Sequence, residues 1–292
     1  MKNKMMAIGM VALGILGTGS CSSDDDGPAR AELKVTLNNL EQLQEGFQYE
    51  GWIMVDGNAI STGKFNDVSA NTVKTFSPIA TDLEKATEFV LSIEPANDTD
   101  SGPSNTKVLS GSFNGNAASL SYQTVIGDLQ TSEGRFTLGT PTDNVADNDE
   151  AGVWFEANGQ PGLTLPELPE GWKYEGWVVF NNIPVSTFKF KEVDMADEAN
   201  AYSGTVARPS FPGEDFLFNT VAPDGVTFPE DVRGKTVVIS VEPEPDDSKA
   251  PFFIKPLILE GKTEGGVPTP NTGVVNAMNL NSASFPQGFA TR

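Results

Sequence analysis

Two pairs of residues are spaced for chemistry, Glu50 with Trp52 and Glu175 with Trp177. Residues two apart on an extended strand share one face. Each pair would therefore set a carboxylate beside an indole, an arrangement that grips a sugar by ring stacking and hydroxyl hydrogen bonds. The plainer alternative is structural: the Trp packs in the core or under a loop, and the Glu accepts from backbone donors or pairs with Lys64 or Lys189. A glycosidase needs two carboxylates about 5 to 9.5 Å apart across one bond, and among 40 Asp+Glu some pair reaches that separation by accident. The rest of the inventory is thin. There is no His and a single Cys, Cys21, which removes Ser-His-Asp and Cys-His pairs, His-ligated zinc and any intramolecular disulfide. No catalytic residue, metal site or cofactor is expected, and the chain does not read as an enzyme. Three acidic stretches, Asn97 to Asp100, Asp143 to Glu150 and Asp246 to Ser248, carry oxygen ligands that suit calcium. None has the spacing of an EF-hand, and each also reads as a solvated turn.

The chain opens with Lys2 and Lys4 followed by an apolar run from Met5 to Leu16, too short to span a bilayer. This is the pattern of an export signal peptide. It ends in Gly17-Thr18-Gly19-Ser20-Cys21, which resembles the lipobox of bacterial lipoproteins, with Thr18 where Leu is commoner. That resemblance implies a lipoprotein signal peptide over 1–20 and lipid attachment at Cys21; the alternative is an ordinary secretory signal. Residues 21–29 read as an acidic tether. Loss of Lys2 and Lys4 with the signal would take the net charge from −21 to −23. A field of that sign repels phosphate backbones, so nucleic acid is not an expected partner. By resemblance to Bacteroidetes-type lipoproteins, Ser22 and the following acidic cluster imply outer-membrane sorting within the cell envelope, on the periplasmic face or the cell surface. The membrane is then reached through the lipid on Cys21.

The body of the chain is a tandem repeat. Gly46 to Val55 recurs as Gly171 to Phe180, and Ser61 to Phe65 as Ser186 to Phe190, both at an offset of 125. A second block, Phe89 to Pro95, recurs as Val237 to Pro243 at an offset of 148, followed equally by Pro103 or Pro251. The second copy thus carries 23 more residues between its blocks, near Ala196 to Thr227. Within this insertion Phe211 to Phe218 reads as a cover over the sheet end or as an exposed aromatic patch.

Alternation of polar and apolar residues predicts a strand at 32–37, β-branched and apolar runs predict strands at 89–93 and 237–241, and further strands are expected at 49–55, 59–65, 107–113, 118–122, 135–138 and 153–156. Asp56-Gly57 and Asn181-Asn182 predict hairpin turns, and Asp82 to Ala86 predicts one helical turn. The expected fold is all-β, two tandem antiparallel β-sandwich domains. Repeat 1 is expected over 30–158 and repeat 2 over 165–292, joined by a Pro/Gly linker at 159–164. The alternative is one continuous sandwich whose copies exchange edge strands.

Tyr49-Glu50-Gly51-Trp52, Gly63-Lys64-Phe65, Glu94-Pro95 with Pro103, and Val108-Leu109-Ser110-Gly111 resemble the extracytoplasmic domain of the anti-sigma-K factor family. The second copy keeps Tyr174-Glu175-Gly176-Trp177 and Glu242-Pro243 with Pro251, but has Phe188 in place of Gly63. The resemblance implies an anti-sigma factor-like outer module with a sensing or binding role. It does not extend to sigma sequestration, which in the family needs a cytoplasmic segment and a transmembrane helix. The expected function is a lipid-anchored, non-enzymatic binding or sensing module that meets an envelope protein or a glycan, with Glu50, Trp52, Glu175 and Trp177 as candidate binding residues. The alternative is a carbohydrate-active or calcium-dependent surface adhesion protein.

Overall fold

The computed structural model describes residues 27–145, 147–218, 222–245 and 248–292. The signal, Cys21 and most of the acidic tether lie outside the described residues, as do Asp246 and Asp247. The chain is all-β, with antiparallel sheets and no helix of seven or more residues among those described.

The first repeat begins with β1 (Leu33–Asn38), whose Leu33, Val35 and Leu37 point inward. There follow β2 (Phe47–Val55), β3 (Asn58–Phe65), β4 (Asn71–Phe76), the short helix α1 (Ala80–Lys85), β5 (Glu88–Pro95), β6 (Lys107–Ser112) and β7 (Ala117–Ser121). Asp56 and Gly57 close the β2–β3 hairpin with positive φ, 50° and 81°, the conformation that a two-residue turn between twisted strands requires. Next come β8 (Glu133–Leu138), β9 (Gly152–Trp154), β10 (Glu156–Ala157), β11 (Gln160–Pro161) and β12 (Leu163–Thr164). The second repeat supplies β13 (Trp172–Phe180), β14 (Ile183–Phe190), β15 (Gly213–Asp215), β16 (Thr236–Pro243) and β17 (Leu257–Leu259). It continues with β18 (Lys262–Glu264), β19 (Val267–Thr269), β20 (Asn276–Ala277), β21 (Asn279–Leu280) and β22 (Gln287–Thr291). Asn181 and Asn182 take the hairpin turn of this copy, again with positive φ.

Three main sheets form. The largest has the order β3-β2-β5-β6-β7-β22-β1-β4, the second β14-β13-β16-β17-β21, and the third β12-β8-β9-β15 with β20 also on β8. The eight-stranded sheet curls until its edges meet through side chains: Phe76 of β4 lies 6.1 Å from Phe65 of β3, and the Lys74 ammonium stands 5.0 Å from the Phe65 ring. The third sheet packs on the second. A Cβ on Gly176 of β13 would stand 2.6 Å from the Phe155 ring, and one on Gly134 of β8 would stand 2.8 Å from Leu257 of β17.

The topology corrects the expected domain limits. Strand β22 does not stay with the second repeat. It runs antiparallel between β7 and β1, with Ala290 opposite both Val35 and Ala118. Arg292 fastens this end, donating to the carbonyls of Leu83 and Ala86 at 2.6 Å and lying 4.4 Å from the Phe113 ring. Conversely β8 and β9, expected in the first repeat, pack on the second repeat's sheet and carry β20 and β15 as partners. The stretch 159–164 is no linker: it holds β11 and β12, which pair with β10 and β8. Copies recognised by sequence mark where similarity starts, whereas a folding unit ends where backbone hydrogen bonding is complete. The copies share strands, as the alternative expected, but β22 enters the interior of the sheet rather than its edge, and buried residues of both repeats belong to one continuous core.

Because β22 joins the ends of the chain, the repeats are expected to unfold together. Urea melts followed by tryptophan fluorescence and by circular dichroism should coincide in one transition. Ala290→Asp, which buries an unpaired carboxylate between Val35 and Ala118, should lower stability by about 3 kcal/mol or more without splitting it. Two separated transitions would show independent repeats.

Candidate functional site

The residues picked out for binding are interior. Glu50, Trp52, Glu175 and Trp177 retain only 3%, 2%, 6% and 2% of their exposure. They share a face as expected, but it is covered, so no open carboxylate and indole stand ready for a sugar. Each tryptophan instead enters a hydrogen-bond relay that occurs twice. The Trp52 indole N–H donates to Ser92 Oγ at 2.8 Å, Ser92 donates to a Glu94 carboxylate oxygen, and the same oxygen accepts the Ser104 N–H at 2.8 Å. In the second copy Trp177 donates to Ser240 at 2.8 Å, Ser240 to Glu242, and the Phe252 N–H to that Glu242 oxygen at 2.8 Å. The loop after each Glu-Pro is thereby tied down beside the Trp. Burial pushes the Glu94 carboxyl up, while the hydrogen bonds from Ser92 and from the Ser104 backbone pull it down.

Glu50 and Glu175 work one strand over. Glu50 accepts from Ser61 and pairs with Lys64 at 3.4 Å, directly opposite on β3. Glu175 accepts from Ser186, and Lys189 pairs with Glu244 at 3.7 Å. Both hairpins carry a bulge beside the Trp, between Gly51 and Trp52 and between Glu175 and Trp177. The bulge puts Gly63 at φ 140° and, at the matching position, Phe188 at φ 75°. A non-glycine side chain is rare there; the Phe188 ring is held 5.4 Å from Tyr202 of the insertion. Each copy also closes with a tyrosine: Tyr49 donates to the Glu41 carbonyl at 2.8 Å and Tyr174 to the Pro166 carbonyl at 2.7 Å.

A cleft roomy enough for a ligand lies elsewhere, about 530 Å³ between the β8–β9 edge and the insertion of the second copy. Asp143, Asp149, Trp154, Glu156, Pro209 and Phe211 are among its lining residues. Glu156 accepts from Thr137 and from the Gly159 N–H, and Asp143 from the Val145 N–H at 2.9 Å and Asn148 at 2.8 Å, which hold both carboxylates in place. One wall depends on the pairing of β15 with β9. Behind it the Trp154 indole donates to Asp215 at 2.7 Å, and the other Asp215 oxygen accepts the Thr142 N–H at 2.9 Å and the Thr142 hydroxyl. The sequence marked the 143–150 stretch as acidic and the insertion as aromatic. Nothing in the linear order put them together, because the contact joins segments more than fifty residues apart.

Of the acidic stretches, 97–100 is held by local contacts, 143–150 lines the cleft, and Asp246 and Asp247 lie outside the described residues. Asp98 accepts the Asp100 N–H at 2.9 Å and faces Lys64 at 3.9 Å. Among the described residues no group of three or more acidic or Cys side chains is arranged to hold a metal ion. Compared with family models, with curated proteins and with solved structures, the chain matches none.

The relay is testable by deletion of its middle member. Ser92→Ala leaves a buried indole N–H and a buried carboxylate short of a partner, and should cost about 1–3 kcal/mol in urea melts. Combining it with Trp52→Phe should cost less than the two single losses added, since both remove one interaction; strict additivity would mean that the relay does not act as a unit.

Proposed function

We propose that this protein is a lipid-anchored, non-enzymatic binding or sensing module of the cell envelope, related in its repeated motif to anti-sigma factor outer domains. The observation that carries the reading is the basic and apolar leader ending in Gly17-Thr18-Gly19-Ser20-Cys21, which supports export and acylation at the chain's one thiol. Two or three acyl chains, at about 0.8 kcal/mol per buried CH₂, anchor a protein firmly. No helix among the described residues is long and apolar enough to cross a membrane itself. Placement in the outer membrane, on its periplasmic or outer face, is supported by the resemblance of Ser22 and the acidic residues after it to the sorting pattern of Bacteroidetes-type lipoproteins. Radiolabelled palmitate should be incorporated by the wild-type protein in its native cells and not by Cys21→Ala; equal labelling of both refutes the anchor.

A second reading, a glycan-binding surface protein, is favoured by the cleft. Asp143, Asp149 and Glu156 offer acceptors for sugar hydroxyls, and Phe211 offers an aromatic edge beside them. Screening against envelope and host glycans should then yield ligands whose affinity falls about tenfold in Asp149→Asn or Phe211→Ala, the loss of one polar contact or one stacked ring, with the urea midpoint unchanged. Ligands that bind both variants as tightly as wild type would place the site outside the cleft.

A further inference from the structure

We propose that β15 is a pH-controlled latch between the inserted segment and β9, closed while the Glu214 carboxyl carries its proton and opened when that proton leaves. Three carboxylates meet around this three-residue strand. Glu214 and Asp215 have no exposure and Asp197 keeps 3%. One guanidinium stands among them and it bonds Asp197: Arg208 donates to the Asp197 carboxylate at 2.7 Å and to its carbonyl at 2.8 Å. The other Asp197 oxygen accepts the Gly213 N–H at 2.9 Å. Asp215 is satisfied by Thr142 and Trp154. Glu214 is the member left short. One of its oxygens accepts from Ser203 and, at 3.2 Å, from the Asp215 N–H, while the other is buried with no hydrogen-bond partner.

A carboxylate in such a place is stable only as the neutral acid. Burial pushes Glu214 up to about 8, reinforced by the charges of Asp197 and Asp215 and opposed by Ser203. Burial likewise pushes Asp197 up to about 7 against the pull of the Gly213 N–H and Arg208, and raises Asp215. The other titratable groups around the strand do not supply a cation. Tyr202, from the insertion, senses the charges of Glu214 and Glu175, Asp143 faces Asp215 from the β8–β9 loop, β9 carries no titratable side chain, and Lys189 of β14 is engaged with Glu244. A carboxyl whose folded value lies above its unfolded value, about 4.3, stabilises the fold at low pH and loses that contribution as pH rises toward 8. In this proposal the ionised group gains water when β15, which pairs with β9, parts from it. The same segment carries Pro209 and Phe211, so opening the latch removes a wall of the cleft.

Hydrogen exchange at residues 213–216, corrected for the intrinsic pH dependence of amide exchange, tests this without reference to any ligand. Protection in the wild type should fall about tenfold or more between pH 6 and pH 9, and in Glu214→Gln it should fall at least about fivefold less, the remaining change coming from Asp197. An unchanged wild type, or an equal fall in both proteins, overturns the latch. Should the variant fail to fold, the ¹³C-carboxyl titration of wild-type Glu214 decides: a midpoint above about 7 is expected, and one at or below about 7 overturns the proposal.

Discussion

Strands β1 and β7 present facing rows of backbone donors and acceptors across a gap one strand wide, and β22 fills it. Buried backbone groups must be paired, so the eight-stranded sheet cannot be complete until the chain has passed through the second repeat and come back. That requirement couples everything else. It makes the first repeat dependent on residues 287–291, it carries Arg292 onto the carbonyls that end α1, and it holds the two copies in one core.

Within that frame the copies solve one problem in the same way and then diverge. Each must bury a tryptophan on the face of the sheet opposite the main core. Each does so with a serine that accepts a hydrogen bond from the indole N–H and a glutamate that accepts one from the serine hydroxyl, the same carboxylate oxygen also accepting a loop N–H. The divergence is in what fills the space beside the bulge. In the first copy Phe89 of β5 lies against Gly51; the second has Val237 at the matching place, and Phe155, which follows β9, lies against Gly176 instead. Phe188 in place of Gly63 likewise gives the insertion a ring to pack on. The exchange of small for large residues between the copies follows from bringing the third sheet and the insertion onto the second.

Charge is used in two opposed ways. Surface carboxylates leave the chain strongly acidic, which favours solubility and repels anionic partners. The interior carboxylates of both relays accept hydrogen bonds from serines and loop N–H groups. Around β15 three buried carboxylates gather, Arg208 is bonded to Asp197, and one Glu214 oxygen has no hydrogen-bond partner.

Local chemistry determined much of the fold. The Asp56-Gly57 and Asn181-Asn182 turns, the strand at 89–93, the helical turn at 82–86 and the relation between the copies follow from residue types and short spacings, and the structure has them within a residue or two, except that β5 extends on to Pro95. Strand β4 was not legible, since its covered positions are Thr72, Lys74 and Phe76 while Val73 is exposed, so apolar character does not alternate with burial. Neither was the partner of β22, nor the pairing of β15 with β9, because hydrogen bonding between distant segments leaves no periodic mark on either. The same reason governs the candidate residues. Spacing put Glu50 and Trp52 on one face, but whether that face meets water or a loop depends on Ser104 folding back onto Glu94. Sequence by itself determined strands, turns and duplication, which are properties of neighbouring residues. Burial, domain limits, the cleft and the carboxylate cluster were decided only by tertiary structure, since each is a relation between surfaces that the chain brings together after those local choices are made.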